Sequence, residues 1–235
     1  MKHNPKYNYP KSTRSTVDGQ RHYDLGEAKL PSVTTILSAT QPEEKRKSLE
    51  AWRQRVGEVE AARIVDNSAT RGTAMHTIIE SFLTGQYHLD LTDVGRNAHT
   101  MAQTIIENGL KNKITEFYGM EATMYYPGLY AGATDLIAVH DGKDSIIDFK
   151  QSNKPKKRQW IQDYFMQLAA YGMAHDHVYG TTIEKGIIMM CTPENIYQEF
   201  TIEGLEYKRY KHDFLRRVDQ YYNCLLYTSP SPRDA

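Results

Sequence analysis

Apolar residues at helical spacing dominate the first half of this chain. Near residue 113 they give way to strand-like runs, and the two patterns then alternate to the end. Residues 1–30 are rich in Tyr, Lys and Asn, show little periodicity, and predict an irregular arm. Pro31-Ser32-Val33-Thr34-Thr35-Ile36-Leu37 predicts a short helix whose orphan amides Ser32 or Thr34 can cap. Pro42-Glu43-Glu44 opens a second helix, carried through Leu49, Trp52 and Val56. Helical character continues past Gly57 through Val59, Ala62 and Ile64. A further helix holds Met75, Ile78, Ile79, Phe82 and Leu83 and ends at Gly85. Residues 87–91 then link to a helix over 93–111.

The β pattern begins with Ile114 to Tyr126 and continues as a hairpin. Gly132 to His140 and Lys143 to Lys150 flank Asp141-Gly142, the strongest short-range signal for a two-residue β-turn. If that pair forms the turn, His140 faces Lys143, and counting back sets Asp135 opposite Asp148 with Cβ atoms roughly 5 Å apart. Lys150 shares a face with Asp148 because strand side chains alternate. The hairpin is apolar on both faces (Leu136 and Ile137, Ile146 and Ile147), as in a sheet covered on both sides. After a basic loop, Lys154-Pro155-Lys156-Lys157-Arg158, a helix is predicted over 159–174 with Ile161, Phe165, Leu168 and Ala169 inward. Two strands, Ile183 to Cys191 and Asn195 to Ile202, and a helix from Leu205 to Tyr222 complete the order. The reading is one α/β domain over 31–223, its helical region 31–112 preceding an α/β core at 113–223. Residues 224–235 break from the helical pattern, resemble translated adapter read-through, and are set aside as a non-native tail.

Composition narrows the function. Basic and acidic residues balance at 29 each, so polyanion binding must come from local patches. Two cysteines, Cys191 and Cys224, are too few for a disulfide framework, a four-cysteine zinc site or an iron–sulfur cluster. No apolar run approaches the ~20 residues of a membrane span, so no membrane partner is expected. The expected setting is the cytoplasm of a bacterial or phage-infected cell.

Facing carboxylates destabilise a sheet unless something bridges them. A divalent cation is the simplest bridge, and Asp135, Asp148 and the Phe149 carbonyl offer the hard oxygen ligands that Mg2+ prefers. Lys150 beside them can orient a water or stabilise charge developing on a phosphate. The plainer alternative is a cross-strand acid pair at an exposed edge, merely neutralised by Lys150.

Gly132-Ala133-Thr134-Asp135 followed by Asp148-Phe149-Lys150 is similar to the signature of the PD-(D/E)XK nuclease superfamily. Gly72-Thr73-Ala74-Met75-His76 and Gln167-Leu168-Ala169-Ala170-Tyr171 resemble the G-x-x-x-H and Q-x-x-x-Y helix motifs of its RecB-like branch. The stretch most like this branch spans residues 32–190, and mitochondrial genome maintenance exonucleases and phage exonucleases are the nearest group. The resemblance implies a central mixed sheet flanked by helices, with Asp135 and Asp148 as metal ligands and Lys150 as catalytic lysine. It implies that His76 reaches the same ion and favours Mn2+ alongside Mg2+; the iron–sulfur cluster of some relatives cannot form here for want of cysteines. Glu80, Glu121, Gln167 and Tyr171 would support the site. Thr134 stands where the superfamily name has proline, and Gln151 replaces the usual Thr after the lysine.

The implied activity is metal-dependent exonucleolytic hydrolysis of single-stranded or flap DNA in replication, repair or recombination, with replication or recombination proteins as partners. A structure-specific or restriction-like endonuclease and a non-catalytic nucleic-acid-binding module are the alternatives. For DNA contacts the candidates are Ser32 and Thr34 at a helix start, Arg71, and the basic loop Lys154, Lys156, Lys157 and Arg158. Arg53, Arg55 and Arg63 lie on helices that form an arch in the relatives. Tyr7, Tyr9, Tyr23 and Trp52 are candidates for base stacking.

Overall fold

The computed structural model describes residues 1–26, 28–86 and 88–228, with 225–228 as backbone alone. Tyr87 of the predicted link and positions 229–235 of the tail lie outside the described residues. The chain runs β1 (Lys2–His3), β2 (Thr13–Val17), β3 (Gln20–Asp24), β4 (Lys29–Pro31), α1 (Val33–Ala39), α2 (Glu43–Val56), α3 (Glu58–Leu83) and α4 (Asp93–Ile105). It continues as β5 (Ile114–Tyr126), β6 (Tyr130–His140), β7 (Lys143–Gln151), α5 (Gln162–Tyr179), β8 (Lys185–Cys191), β9 (Tyr197–Glu203) and α6 (Gly204–Thr228).

Six strands form one mixed sheet in the order β1-β5-β6-β7-β8-β9. The β6–β7 hairpin has the expected register, from His140 opposite Lys143 to Leu136 opposite Ile147. Asp141 (φ 47°) and Gly142 (φ 76°) both take positive φ, as a type I′ turn requires. β7 and β8 run parallel, so the chain crosses between them through α5.

Because strand side chains alternate, the hairpin feeds two cores. Ile137, Ile146, Ile188 and Met190 pack on one face with Ile36 of α1, Phe165 of α5 and Phe214 of α6. Leu136, Ile147, Phe149 and Met189 pack on the other with Met75 and Ile79 of α3 and Met101 of α4. This is the helix-flanked mixed α/β sheet expected from the sequence.

Several expectations need correction. The N-terminal arm is not irregular: β2, β3 and β4 form an antiparallel sheet turning at Asp18-Gly19 (φ 50° and 75°). Tyr23 and Leu30 from that sheet pack with Ala131 of β6. The two helices expected across 58–85 are one helix of 26 residues, α3. None of the α2 residues is buried, although Leu49, Trp52 and Val56 carry a helical apolar pattern. The predicted 93–111 helix ends in a π-helical turn, Ile106–Leu110. The last helix runs on to Thr228, so no helix end marks the tail boundary expected at 224.

Candidate active site

The facing acids sit where the β6–β7 ladder ends. Paired positions stop at Leu136 and Ile147, while β7 continues alongside β8, with Asp148 opposite Ile188. Beyond that point Phe149 needs other partners for its backbone groups. The Asp135 carboxylate accepts from the Phe149 amide at 2.6 Å. His76 Nε2 lies 3.0 Å from the Phe149 carbonyl. A carbonyl can only accept, so in this contact Nε2 carries the proton. The lone pair then lies on Nδ1, 3.7 Å from Asp135 Oδ1. The Phe149 carbonyl, expected as an ion ligand, instead holds the imidazole, and the ring presents Nδ1 to the acids.

A third acid joins them from β5. Met120 pairs with Leu136 and Ala122 with Thr134, which puts Glu121 across from Asp135. Its φ of 46° is a left-handed backbone inside a strand, a conformation L-residues avoid. Ligand atoms of His76, Glu121 and Asp135 all lie within 4.8 Å of one another. One imidazole nitrogen and carboxylate oxygens suit a hard or borderline divalent cation such as Mg2+ or Mn2+.

Lys150 Nζ lies 2.5 Å from Asp148 Oδ2, and Asp148 is almost wholly buried. Burial opposes the Lys150 charge, but Asp148 and then Asp135 more than offset that and hold its pKa above the ordinary value. Burial, then repulsion from Asp148, pushes the Asp135 carboxyl well up, against the pull of Lys150. Burial and then the Glu80 charge raise Glu121. Burial and then the Lys150 charge lower His76, favouring the neutral imidazole that binds metals. Burial raises the pKa of Glu80 itself.

The second helix motif docks through a glycine. Gln167 Nε2 donates to Tyr171 Oη at 3.1 Å. A Cβ added at Gly132 would sit 2.7 Å from Tyr171 Cε1, so the ring occupies the space a side chain would need. Burial raises the Tyr171 pKa well above the ordinary value, which keeps its hydroxyl neutral. The two motifs therefore meet through packing rather than through the acids.

No family model matches the chain. It is 30% identical over 205 residues to mouse (Mus musculus) mitochondrial genome maintenance exonuclease 1, covering 82% of this chain and 59% of that protein. The chain is a homologue of that exonuclease. The human (Homo sapiens) counterpart is 30% identical over 172 residues, covering 69% of this chain and 49% of its own length. The chain thus spans about half to three-fifths of these relatives. Their kinship bears out the resemblance to PD-(D/E)XK nucleases, and their mitochondrial name does not match the bacterial or phage-infected cell expected above. A crystal structure of an alkaline exonuclease from Laribacter hongkongensis aligns with a TM-score of 0.31 at 19% identity, over 64% of this chain and 80% of that one.

The residues expected to contact DNA are mostly engaged within the protein. Ser32 caps α1, accepting from the Thr35 amide at 2.9 Å, with Thr34 Oγ1 2.9 Å from its hydroxyl. Arg71 Nε donates to Gln151 Oε1 at 3.1 Å, and its Nη2 bonds Asn153 Oδ1. Gln151, standing in place of the usual Thr, is therefore the partner of a residue on the helix that carries His76. Arg158 bonds the Thr201 carbonyl at 2.8 Å and Glu206 at 2.7 Å. Lys156 uses its amide on Gln198, while Lys154 and Lys157 are exposed. Tyr7 and Tyr9 pack around His175 and Tyr179, and Tyr23 is buried. Trp52, on α2, stays partly exposed. No helix among the described residues is long and apolar enough to cross a membrane.

The sequence reading missed Tyr164 and Arg14. Tyr164 lies under Lys150, its ring centroid 5.1 Å from Nζ. Arg14 reaches Glu121 at 3.5 Å. Neither carries a motif. Tyr164 lies three residues before Gln167, so the helical period alone could have drawn attention to it.

Proposed function

We propose that this chain is a metal-dependent DNA exonuclease acting on single-stranded or flap ends in replication, repair or recombination. The observation that carries the reading is the convergence of Asp135, Asp148, Lys150 and His76 at the end of the β6–β7 ladder. The relatives' printed name, an exonuclease of genome maintenance, supports the direction of the proposal.

Asp135 and His76 Nδ1 would hold a Mg2+ or Mn2+ ion, with Glu121 close enough to join them and Asp148 completing the acid pair. A bound divalent ion supplies a low-pKa water and neutralises charge on the phosphoryl oxygens. Lys150 keeps a positive charge at the site's edge, where it would orient the attacking water or stabilise negative charge on the phosphate. The Phe149 carbonyl fixes the imidazole tautomer. Lys154 and Lys157 are exposed cations just beyond Lys150, suited to the phosphates of an approaching strand.

Matched linear and circular single-stranded DNA, each with Mg2+ or Mn2+, test this. The linear strand should be shortened and the circle left intact. Cleavage of the circle would make the enzyme an endonuclease, and no cleavage of either would remove the nuclease reading.

A further inference from the structure

We infer that Tyr164 is a positioning residue for Lys150, holding its ammonium by the face of the ring. The inference rests on the nuclease reading above for its kinetic consequence and on geometry for its premise. Lys150 is a long, flexible side chain, and two groups confine it: Asp148 at 2.5 Å and the Tyr164 ring at 5.1 Å from Nζ to centroid. That separation lies within the range of a cation–π attraction, which strengthens as water is excluded. The Lys150 side chain is only 22% exposed.

The turn that carries the ring is anchored on both sides. On one side of Tyr164, Asp163 pairs with Lys45 of α2 at 2.5 Å and with Arg217 of α6 at 3.5 Å. On the other, Phe165 is fully buried in the core. The Tyr164 amide bonds the Ile161 carbonyl at 3.0 Å, closing the first turn of α5. Three consecutive residues thus anchor the turn outward, face the lysine and anchor the turn inward. A fourth carboxylate, in place of the ring, would add negative charge to a site that already gathers Asp135, Asp148 and Glu121. An aromatic face attracts the ammonium without adding a charge or a strong metal ligand, so it orients the lysine while leaving the acids free for a cation.

The test compares Tyr164→Phe and Tyr164→Leu in the full chain on linear single-stranded DNA with Mn2+. Phe keeps the ring and should stay within about twofold of the original kcat. Leu should lower kcat roughly tenfold at unchanged KM, with melting temperature held. If Leu fails to fold, Tyr164→Met replaces it with a flexible side chain. A loss in Phe as large as in Leu would overturn the inference in favour of the hydroxyl. A rise in KM at constant kcat would overturn it in favour of a substrate contact, and original kinetics in all variants would remove any role. A readout free of activity is the ring-current shift of the Lys150 side-chain protons, which should persist in Phe and vanish in Leu. If the shift behaves so while the unmodified chain cuts no DNA, the nuclease reading fails and the ring–lysine contact stands.

Discussion

Glu121 shows how a single residue can serve the site at a cost to the fold. Its left-handed backbone within β5 costs about 1 kcal/mol, and its charge adds to an acidic cluster relieved by Arg14 at 3.5 Å. Glu121→Gly should therefore raise stability by about 1 kcal/mol in urea unfolding while weakening Mn2+ binding measured by calorimetry. Glu121→Ala, which keeps the backbone penalty, should weaken binding without most of that gain. If both variants bind Mn2+ like the original, Glu121 is no ligand. Arg71 belongs to the same scale. Its bonds to Gln151 and Asn153 tie α3 to the end of β7, so Arg71→Gln should leave the salt slope of DNA binding unchanged, measured in an uncleaving Asp148→Asn background. A slope shallower by about 0.7 would return Arg71 to the phosphate contacts. Sequence named the arginine but not its partner, because residues 71 and 151 meet only in the fold.

At the scale of elements, the chain has two Asp-Gly hairpin turns, and their flanks make one legible in the sequence and the other not. Asp141-Gly142 lies between apolar strands, and its register holds as read from His140 opposite Lys143 to Leu136 opposite Ile147, the pair next to the two acids, because a one-residue slip would turn the apolar side chains out of both cores. Asp18-Gly19 takes the same positive φ values, but its flanks, Thr-Arg-Ser-Thr-Val and Gln-Arg-His-Tyr, are mostly polar. Their hairpin is fastened by Tyr23 against β6 and by Ser12 Oγ to Thr123 Oγ1 at 2.7 Å, contacts that no local pattern announces. The apolar stripe of α2 misled in the other direction, since periodicity shows a helix face but not whether anything covers it. The helix motif at Gln167–Tyr171 was legible, yet its docking partner was not. The close approach of Tyr171 to Gly132 predicts that Gly132→Ala destabilises the chain by about 1–3 kcal/mol. The same substitution in a Tyr171→Ala background should cost much less. Equal costs in the two backgrounds, compared by chemical denaturation, would show that the contact is slack.

For the whole molecule, the N-terminal sheet behaves as part of the domain rather than as an appendage. It touches β6 through Tyr23 and Leu30, Glu121 through Arg14, and α6 through Gln20, which accepts from Tyr221 Oη at 3.0 Å. Deleting residues 1–24 removes the buried Tyr23 and should lower stability by about 2 kcal/mol, while Mn2+ binding should tighten because the Arg14 cation no longer competes for Glu121. A truncated chain as stable as the original would make the sheet dispensable. The larger claim is that β6, β7 and α3 converge to hydrolyse DNA with a divalent cation. The most direct test measures release of nucleotides from linear single-stranded DNA with Mn2+ by the original chain and by Asp148→Asn and Lys150→Ala, each checked for an unchanged melting profile. The original should cleave, and stop when the cation is chelated, while both folded variants should lose at least about a hundredfold, on the order expected when charge stabilisation at a reacting phosphate is removed. Cleavage at the original rate by either variant would contradict that claim.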